Sequence, residues 1–575
     1  MQKRIQRRKR SEHPNAALSS LPLLLQRIYA ARDVQSLADI DRSLSALLPY
    51  HRLQDIDRAT KRLMQALLQQ ERILVIGDFD ADGATSTALA VSALRSFGGK
   101  NVDFLVPNRF TFGYGLTPEI VDAAKTKSPD LIVTVDNGVA SFDGVTRAKE
   151  YGIDVVITDH HLQGATLPNA FAVVNPNRKD DVFESKSLAG VGVIFYVMLA
   201  LRSLLESENY FAHYHITKPN MAELLDLVAL GTVADVVPLD KNNRILVYQG
   251  LQRIRAGLAR PGIQALLKIA GRTAQKMVAM DLGFSIGPRL NAAGRLDDMS
   301  LGINCLLESN VENASIQAKL LDDLNIERRA IEMEMKEQAF DIVDKMHLQK
   351  QLPLGLCLYD EAWHQGVVGL VASRVKDKVH RPTIAFAKVD AKTIKGSARS
   401  VVGVHIRDVL DAVATRHPTL LSKFGGHAMA AGLSIRLQDF EAFSHAFSEE
   451  VGRQVEEDQL CQSIETDGEL TSDDFTLENA ELLKEAGPWG QHFPEPLFDG
   501  EFEIISQRLV GGNHLKLVLQ SHQSAHTIDA IAFQVDLNLW PNYRAKQAKI
   551  AYRLDTNEYR GRSSLQLVVE ALEAV

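Results

Sequence analysis

The segment Gly77-Asp78-Phe79-Asp80-Ala81-Asp82-Gly83 follows the apolar run Ile73-Leu-Val-Ile76 and packs three carboxylates into five positions. Like charges crowded at a low-dielectric strand end repel by kcal/mol-scale amounts. A divalent cation that prefers hard oxygen turns that repulsion into coordination. Three more apolar runs end in polar residues: Leu131-Ile-Val-Thr-Val135 leads to Asp136-Asn137-Gly138, Val155-Val-Ile-Thr158 to Asp159-His160-His161, and Phe171-Ala-Val-Val174 to Asn175-Pro176. An apolar helical pattern from Met221 breaks at Gly231-Thr-Val-Ala-Asp235 and adds one further acid. Alternating acids on an extended chain cannot all share a face, so the first strand must end and turn after Ile76, which Gly83 permits. Asp136 before Asn-Gly suits a carboxylate projected from the sheet edge and shared between two metals. His160 adds an imidazole, which moves the expected ion from calcium toward manganese, with magnesium also compatible. Singly, an Asp-Gly pair is a turn and a His-His pair a surface feature. Together they predict a carboxylate cluster containing histidine, whose simplest use is two-metal phosphoester hydrolysis.

The elements that must carry these residues follow from periodicity. Between about residues 72 and 240, short β-branched runs alternate with helical patterns, which predicts a parallel sheet covered on both faces with ligands outside the carboxyl ends of its strands. Residues 310–347, rich in Glu, Lys, Ala, Leu and Met without Pro or Gly, predict one helix on the order of 55 Å long, an interdomain strut. A second α/β region spans 353–452, with strands at Leu354-Gly-Leu-Cys-Leu358 and Thr383-Ile-Ala-Phe386. The last stretch, with Leu515-Lys-Leu-Val-Leu519, Ile528-Asp-Ala-Ile-Ala-Phe533 and Leu565-Gln-Leu-Val-Val569, predicts a small β-barrel.

Composition bounds these readings. The length of 575 residues suggests roughly three to four domains, and 45% hydrophobic with 24% charged residues argues against disordered or fibrous classes. Three scattered cysteines, Cys305, Cys357 and Cys461, form neither a disulfide framework nor a CxxC motif, which fits a reducing cytoplasm. The apolar stretch 188–201 falls short of the ~20 residues that span a bilayer and reads as a core helix. The basic N-terminus lacks the apolar region of a secretory signal, so no membrane association is expected. A net charge of −8 counts against a wholly basic nucleic-acid binder and leaves room for a local basic groove. The basic tail at residues 3–10 reads as solvated and mobile.

The four acidic motifs, Asp78-Phe-Asp80-Ala-Asp82-Gly83, Val135-Asp136-Asn137-Gly138, Asp159-His160-His161 and Gly231-Thr-Val-Ala-Asp235, resemble the successive motifs of the DHH phosphoesterases. Gly425-Gly426-His427-Ala-Met-Ala-Ala-Gly432 resembles the glycine-histidine motif of the DHHA1 domain that accompanies them. The resemblance is to the single-strand-specific exonuclease branch of that superfamily and runs from about residue 70 to the end. It includes Gly287-Pro-Arg289-Leu-Asn291-Ala-Ala-Gly-Arg295, His364-Gln-Gly-Val-Val-Gly-Leu-Val-Ala-Ser373-Arg374 and Gly396-Ser-Ala-Arg399-Ser400. It implies an α/β multidomain fold: an N-terminal segment (1–60), a DHH parallel-sheet domain (61–300), a long connecting helix (301–350), a DHHA1 α/β domain (351–465) across a cleft, and a C-terminal OB-like β-barrel (466–575).

The same resemblance implies residue roles. Asp80 and Asp82 would ligate different ions, Asp136 would bridge them, and His160 with Asp235 would complete the shell of the second ion. Ile76 stands where several relatives carry a ligating histidine, so the first ion is either held more loosely or uses Asp78. Asp159 would orient His160 through its second ring nitrogen, and His161 would contact the scissile phosphate. Arg109, Arg289, Ser373 and Arg374 would hold a 5′ end through charge-assisted contacts. Arg399 and His427 would meet backbone phosphates, and Lys516, Arg553, Arg560 and Arg562 would do so on the barrel. The implied activity is processive 5′→3′ degradation of single-stranded DNA to mononucleotides in recombination and repair, with two Mn2+ or Mg2+ ions. The implied partners of the monomer are single-stranded-DNA-binding protein and a helicase. Two rivals are a DHH hydrolase of oligoribonucleotides or cyclic dinucleotides and a non-catalytic DNA-binding scaffold. The strut and barrel are superfluous for the first, and the intact acidic motifs for the second.

Overall fold

The computed structural model describes residues 4–9, 15–108, 112, 114–349, 352–421, 423–455, 462–521, 526–559 and 561–575. They fall into two compact units: residues 10–325 with 482–495, and residues 1–9, 326–481 and 496–575.

The first unit is built on a five-stranded sheet in the order Val102–Leu105, Ile73–Ile76, Leu131–Val135, Asp154–Thr158, Ala172–Val174, parallel throughout. Ile73–Ile76 and Leu131–Val135 are buried along their whole length, which is why they read as unbroken apolar runs rather than alternating ones. The chain leaves Ile73–Ile76, adds Val102–Leu105 on one side, then crosses to Leu131–Val135 on the other. This reversal is a topological switch point, where open α/β sheets bind ligands. The sequence did not announce Val102–Leu105, because this strand ends in no polar motif.

Helix Ala81–Ser96 packs against helices Gly190–Ser207 and Leu225–Ala234. Gly231 was expected to break the last of these, yet the helix continues to Ala234. A Cβ at Gly231 would lie 2.2 Å from Thr85 Oγ1, so this glycine is the point of closest approach between helices. Gly190–Ser207 is long and apolar enough to cross a bilayer by composition, but 67% of it is buried inside the protein, as a core helix should be.

Residues 482–495 also belong to this unit. Tyr29 donates its hydroxyl to the Ala486 carbonyl at 2.8 Å, Trp489 stacks on Phe493 at 5.1 Å, and Arg244 sits 4.2 Å over the Phe493 ring. The expected barrel domain thus contains an excursion that packs with the sheet unit, held by aromatic and cation–π contacts invisible to strand periodicity.

Helix Val311–Gln349 has 39 residues and passes from one unit into the other. The second unit contains a mixed sheet in the order Lys423–Gly426, Ala430–Arg436, Thr393–Arg399, Thr383–Lys388, Leu356–Tyr359, whose core gathers Ile384, Phe386, Leu433, Phe443 and Phe447. Its barrel closes through Phe498–Val510, His514–Ser521, Thr527–Ala532, Arg562–Ala574 and Gln547–Tyr559. Residues 529–532 pair in parallel with 566–569, and 498–503 seal the barrel against 547–552.

The described part of the basic tail is not solvated coil, which corrects the expectation above. Arg4–Arg7 forms a strand parallel to Ser463–Thr466. Arg7 chelates Asp499 at 2.6 and 3.0 Å, and Arg8 reaches Asp467 at 3.2 Å. Both carboxylates are buried, so the arginines compensate charges that would otherwise lie unpaired. Arg7→Ala should lower stability to chemical denaturation by roughly 1–2 kcal/mol, reduced by the exposure of the arginine and by the Thr466 hydroxyl that also serves Asp499.

Candidate metal centre

The strand Ile73–Ile76 stops before the first acid, and the chain then turns directly into helix Ala81–Ser96. Asp80 is the N-cap, its carboxylate accepting from the Gly83 amide at 3.0 Å, and Asp82 lies in the first turn. Gly83 serves close approach rather than a turn, since a Cβ there would lie 2.5 Å from the Asp78 carbonyl oxygen. Helix Gly287–Leu296 braces the loop from outside. Asn291 accepts from the Ala81 amide at 2.9 Å, and Gly294 leaves room for the Phe79 carbonyl, 1.8 Å from where its Cβ would be. Asp82 accepts from the amides of Gly190 at 2.6 Å and Val191 at 2.9 Å, a carboxylate seated on a helix N-terminus.

Asp136 follows the neighbouring strand and adopts φ +61°, a left-handed conformation that aspartate tolerates better than most residues. Its carboxylate is wedged against Gly190, whose Cβ would fall 2.6 Å from Asp136 Cβ. Asn137 donates to the carbonyls of Ile76 at 3.1 Å and Val135 at 2.9 Å. It thereby stitches together the two strand ends that flank the switch point.

Three overlapping sets of donor atoms result: Asp78, Asp80 and Asp136; Asp82, His160 and Asp235; Asp136, His160 and His161. Within each set the atoms lie within 4.8 Å of one another. His160 Nε2 is 3.1 Å from Asp136 Oδ1, 3.6 Å from Asp235 Oδ2 and 3.9 Å from Asp82 Oδ2. Asp78 is thus grouped with Asp80 and Asp136, the alternative that Ile76 had left open. Burial and the neighbouring Asp80 push the Asp82 carboxyl up to about 7, against the pull of the two amides. Asp136 is raised well above the ordinary range by burial and then by Asp82, Asp80, Asp235 and Asp78. Asp235 is raised in the same way, by burial, Asp82 and Asp80.

These residues fit a pair of divalent cations. The donor set is carboxylate-rich with one imidazole at its centre, the acids repel one another when bare, and Asp136 Oδ1 is buried without a hydrogen bond from any described residue.

One role is corrected by the geometry. Asp159 does not orient His160; its Oδ1 holds His161 Nδ1 at 2.7 Å and accepts from the amides of His160 and His161 at 2.7 and 3.1 Å. Because the carboxylate caps the two amides that follow it, it curls toward the second imidazole and away from the first. Burial alone would raise Asp159, but His161 and His160 outweigh it and hold the carboxyl down to about 2. Reciprocally, burial lowers His161, yet Asp159 and then Asp235 and Asp78 bring it up to about 9. The fourth strand end supplies anchors rather than donor atoms: Asn175 and Asn177 donate to the carbonyls of His161 at 2.8 Å and His160 at 2.5 Å.

Arg109 and Arg560 lie outside the described residues. Arg289 is buried and committed to Asp322 at 2.9 and 3.0 Å and to the Ser285 carbonyl at 2.5 Å. In the second unit, Ser373 donates to the Gly369 carbonyl at 3.2 Å and Arg374 pairs with Glu332 at 2.8 Å. Arg399 donates to Ser397 Oγ and the Ala398 carbonyl, and burial depresses its pKa. His427 is exposed at a hairpin, its amide bonded to the Ala430 carbonyl at 2.8 Å. On the barrel, Lys516 is paired with Asp529 at 2.9 Å and Arg553 with Glu570 at 2.5 Å, while Arg562 is exposed. Sequence reasoning had no role for Gly190, Asn291, Gly294 or Tyr114. Asn291 and Gly294 stood in a quoted motif, which signalled importance without saying for what.

Comparison with known proteins agrees with this geometry. Family models match at residues 72–232 (DHH family, N-terminal domain), 352–453 (DHHA1 domain) and 466–571 (RecJ OB domain). The chain is 52% identical over 572 residues to the single-stranded-DNA-specific exonuclease RecJ of Escherichia coli (strain K12), covering 99% of each chain. Among solved structures it resembles RecJ of Thermus thermophilus in complex with Mn2+, with a TM-score of 0.80 and 28% identity over 100% of this chain and 80% of that one. The same protein in complex with Mg2+ matches with a TM-score of 0.76 and 25% identity, over 100% and 78%.

Proposed function

The chain belongs to the RecJ family of single-stranded-DNA-specific exonucleases, and from that premise we infer that it hydrolyses single-stranded DNA from the 5′ end to mononucleotides, in recombination and repair. The observation that carries the reading is the set of three overlapping donor groups, linked through Asp136 and His160, at the switch point of the sheet. Asp78, Asp80 and Asp136 would hold one Mn2+ or Mg2+, and Asp82, His160 and Asp235 the other, with Asp136 between them. Two such cations, when bound, supply the Lewis acidity that phosphodiester hydrolysis needs.

The chain's own residues do the rest. Gly190 and Val191 amides fix the Asp82 carboxylate, Asn137 fixes the spacing between the two acidic strand ends, and Asn177 holds the backbone of His160. Asp159 takes the Nδ1 proton of His161 as a hydrogen bond and so holds an imidazole that would contact the scissile phosphate.

The division into 1–60, 61–300, 301–350, 351–465 and 466–575 is kept as our working assignment, with 482–495 docked on the sheet unit. Arg109, Arg289, Ser373, Arg374, Arg399, His427, Lys516, Arg553, Arg560 and Arg562 remain the candidates for contact with the strand. Single-stranded-DNA-binding protein and a helicase are the proposed partners of a cytoplasmic monomer.

The test uses 5′- and 3′-labelled single strands and matched duplexes with Mn2+ or Mg2+, with and without EDTA. Single strands should release labelled mononucleotide first from the 5′ end, and EDTA should abolish this. Hydrolysis of duplex, or of dinucleotides alone, would contradict the reading.

A further inference from the structure

Tyr114 is half-exposed, at 49%, yet its hydroxyl reaches the floor of the acidic cluster. That oxygen lies 3.2 Å from the backbone carbonyl of Asp136, to which it donates. It also lies 3.2 Å from Nδ1 and 3.3 Å from Nε2 of His161. Nδ1 is already given to Asp159 at 2.7 Å, so the hydroxyl proton goes to the Asp136 carbonyl and the phenol oxygen rests against the His161 ring, nearly equidistant from its two nitrogens. The ring is fixed by two edge-on contacts, 6.1 Å to Phe79 and 5.7 Å to His161. One side chain therefore touches the loops after three strands: Phe79 after Ile73–Ile76, Asp136 after Leu131–Val135, and His161 after Asp154–Thr158.

Asp136 is the residue most in need of such a tie. Its φ of +61° is a sparsely populated conformation, kept only where the surroundings over-determine it. The amide side of the residue is held by the Thr158 carbonyl at 3.1 Å. On the carbonyl side, Tyr114 is the sole hydrogen-bond donor among the described residues. Without it the peptide after Asp136 is free to rock, and the carboxylate that belongs to two of the three donor groups rocks with it.

We propose that Tyr114 is a positioning residue for hydrolysis: its hydroxyl locks the backbone of Asp136 against the imidazole of His161 in mutual register, so that the shared carboxylate and the imidazole are aligned before substrate arrives. The proposal rests on the hydrolase reading given above. It assigns the work to one oxygen atom, and the ring contributes by holding that oxygen in place.

Tyr114→Phe removes only the oxygen. In the full-length protein with Mn2+ and a labelled single strand, kcat should fall at least about tenfold while KM changes less than twofold, because the atom acts on the aligned centre and not on strand affinity. The Mn2+ concentration for half-occupancy, read from the free-ion EPR signal without DNA, should rise severalfold. The melting temperature in EDTA should stay that of the wild type. Tyr114→Ala should lose kcat further, since the ring contacts go as well.

A kcat within twofold of wild type for Tyr114→Phe overturns the proposal. So does a loss of kcat matched by an equal rise in KM, which would make the phenol a strand contact, or by a fall in the metal-free melting temperature, which would make it a fold contact. If the wild type hydrolyses no strand at all, the hydrolase reading fails instead. The EPR titration then still decides whether the Tyr114 oxygen sets the Asp136 site: an unchanged Mn2+ affinity in Tyr114→Phe overturns it.

Discussion

Asp136→Asn is expected to lower strand hydrolysis by at least about 10³-fold, some 4 kcal/mol of transition-state stabilisation, while the metal-free protein melts no lower than the wild type. The two halves of this expectation have one cause. Asp136 is 2% exposed and faces Asp82, Asp80, Asp235 and Asp78, which together with burial raise its carboxyl well above the ordinary range. A carboxyl whose pKa is raised on folding contributes stability that is full below its unfolded pKa and is lost as pH rises through the folded value, because the buried charge must then be carried. The neutral amide, of the same shape, escapes that loss, so its advantage in EDTA should be larger at pH 8 than at pH 5.

With cations the order reverses. Metal binding stabilises the folded state by mass action, by about 2.7 kcal/mol at a hundredfold excess over Kd. Wild type should therefore gain several degrees on addition of Mn2+, and Asp136→Asn little or nothing. Thermal melts in EDTA and Mn2+ at the two pH values, beside a gel assay of a labelled strand, measure all of this. Near-normal turnover by the variant would remove Asp136 from the centre.

The second large effect falls on a residue with no side chain. Gly190→Ala should reduce kcat by roughly 10² and stability by about 1–3 kcal/mol. The added methyl would stand 2.6 Å from Asp136 Cβ, 2.7 Å from its Oδ1 and 2.8 Å from its Cγ, distances that real Cβ atoms do not keep. One of the two must move. Moving Asp136 displaces the shared carboxylate, and moving Gly190 withdraws the amide that holds Asp82 at 2.6 Å, so both donor groups are disturbed by one carbon. The effect should be legible as a raised Mn2+ requirement together with a lower denaturation midpoint. Wild-type kinetics with intact stability would mean that the helix Gly190–Ser207 shifts freely, contrary to its burial.

The acidic strand ends were legible because each apolar run stopped at a carboxylate or imidazole, whereas the helix before Asp235 was legible only as far as Gly231 and in fact runs on to Ala234. Their convergence was legible too, since parallel strands put all carboxyl ends on one edge. What remained hidden depends on backbone path and register. Asp159 lies next to His160 in sequence, but the capping of two amides turns its carboxylate to His161. Lys516 and Arg553 were legible as surface cations but their neighbours were not: pairing of His514–Ser521 with Thr527–Ala532 and of Gln547–Tyr559 with Arg562–Ala574 brings them beside Asp529 and Glu570, which no linear reading connects to them. Gly190 and Gly294 were silent because their meaning is an approach distance, which exists only once two distant segments have met.

The parallel pairing of Arg4–Arg7 with Ser463–Thr466 also bears on biogenesis. Arg8 and its partner Asp467 are 459 positions apart, so at translation rates of roughly 5–20 residues per second the amino-terminal strand waits about half a minute or longer for its mate to leave the ribosome. During that interval it is an unpaired edge, and its dense positive charge guards against promiscuous pairing with other nascent chains. This stretch becomes a late-closing latch on the second unit, committed only after Ser463–Thr466 has been made.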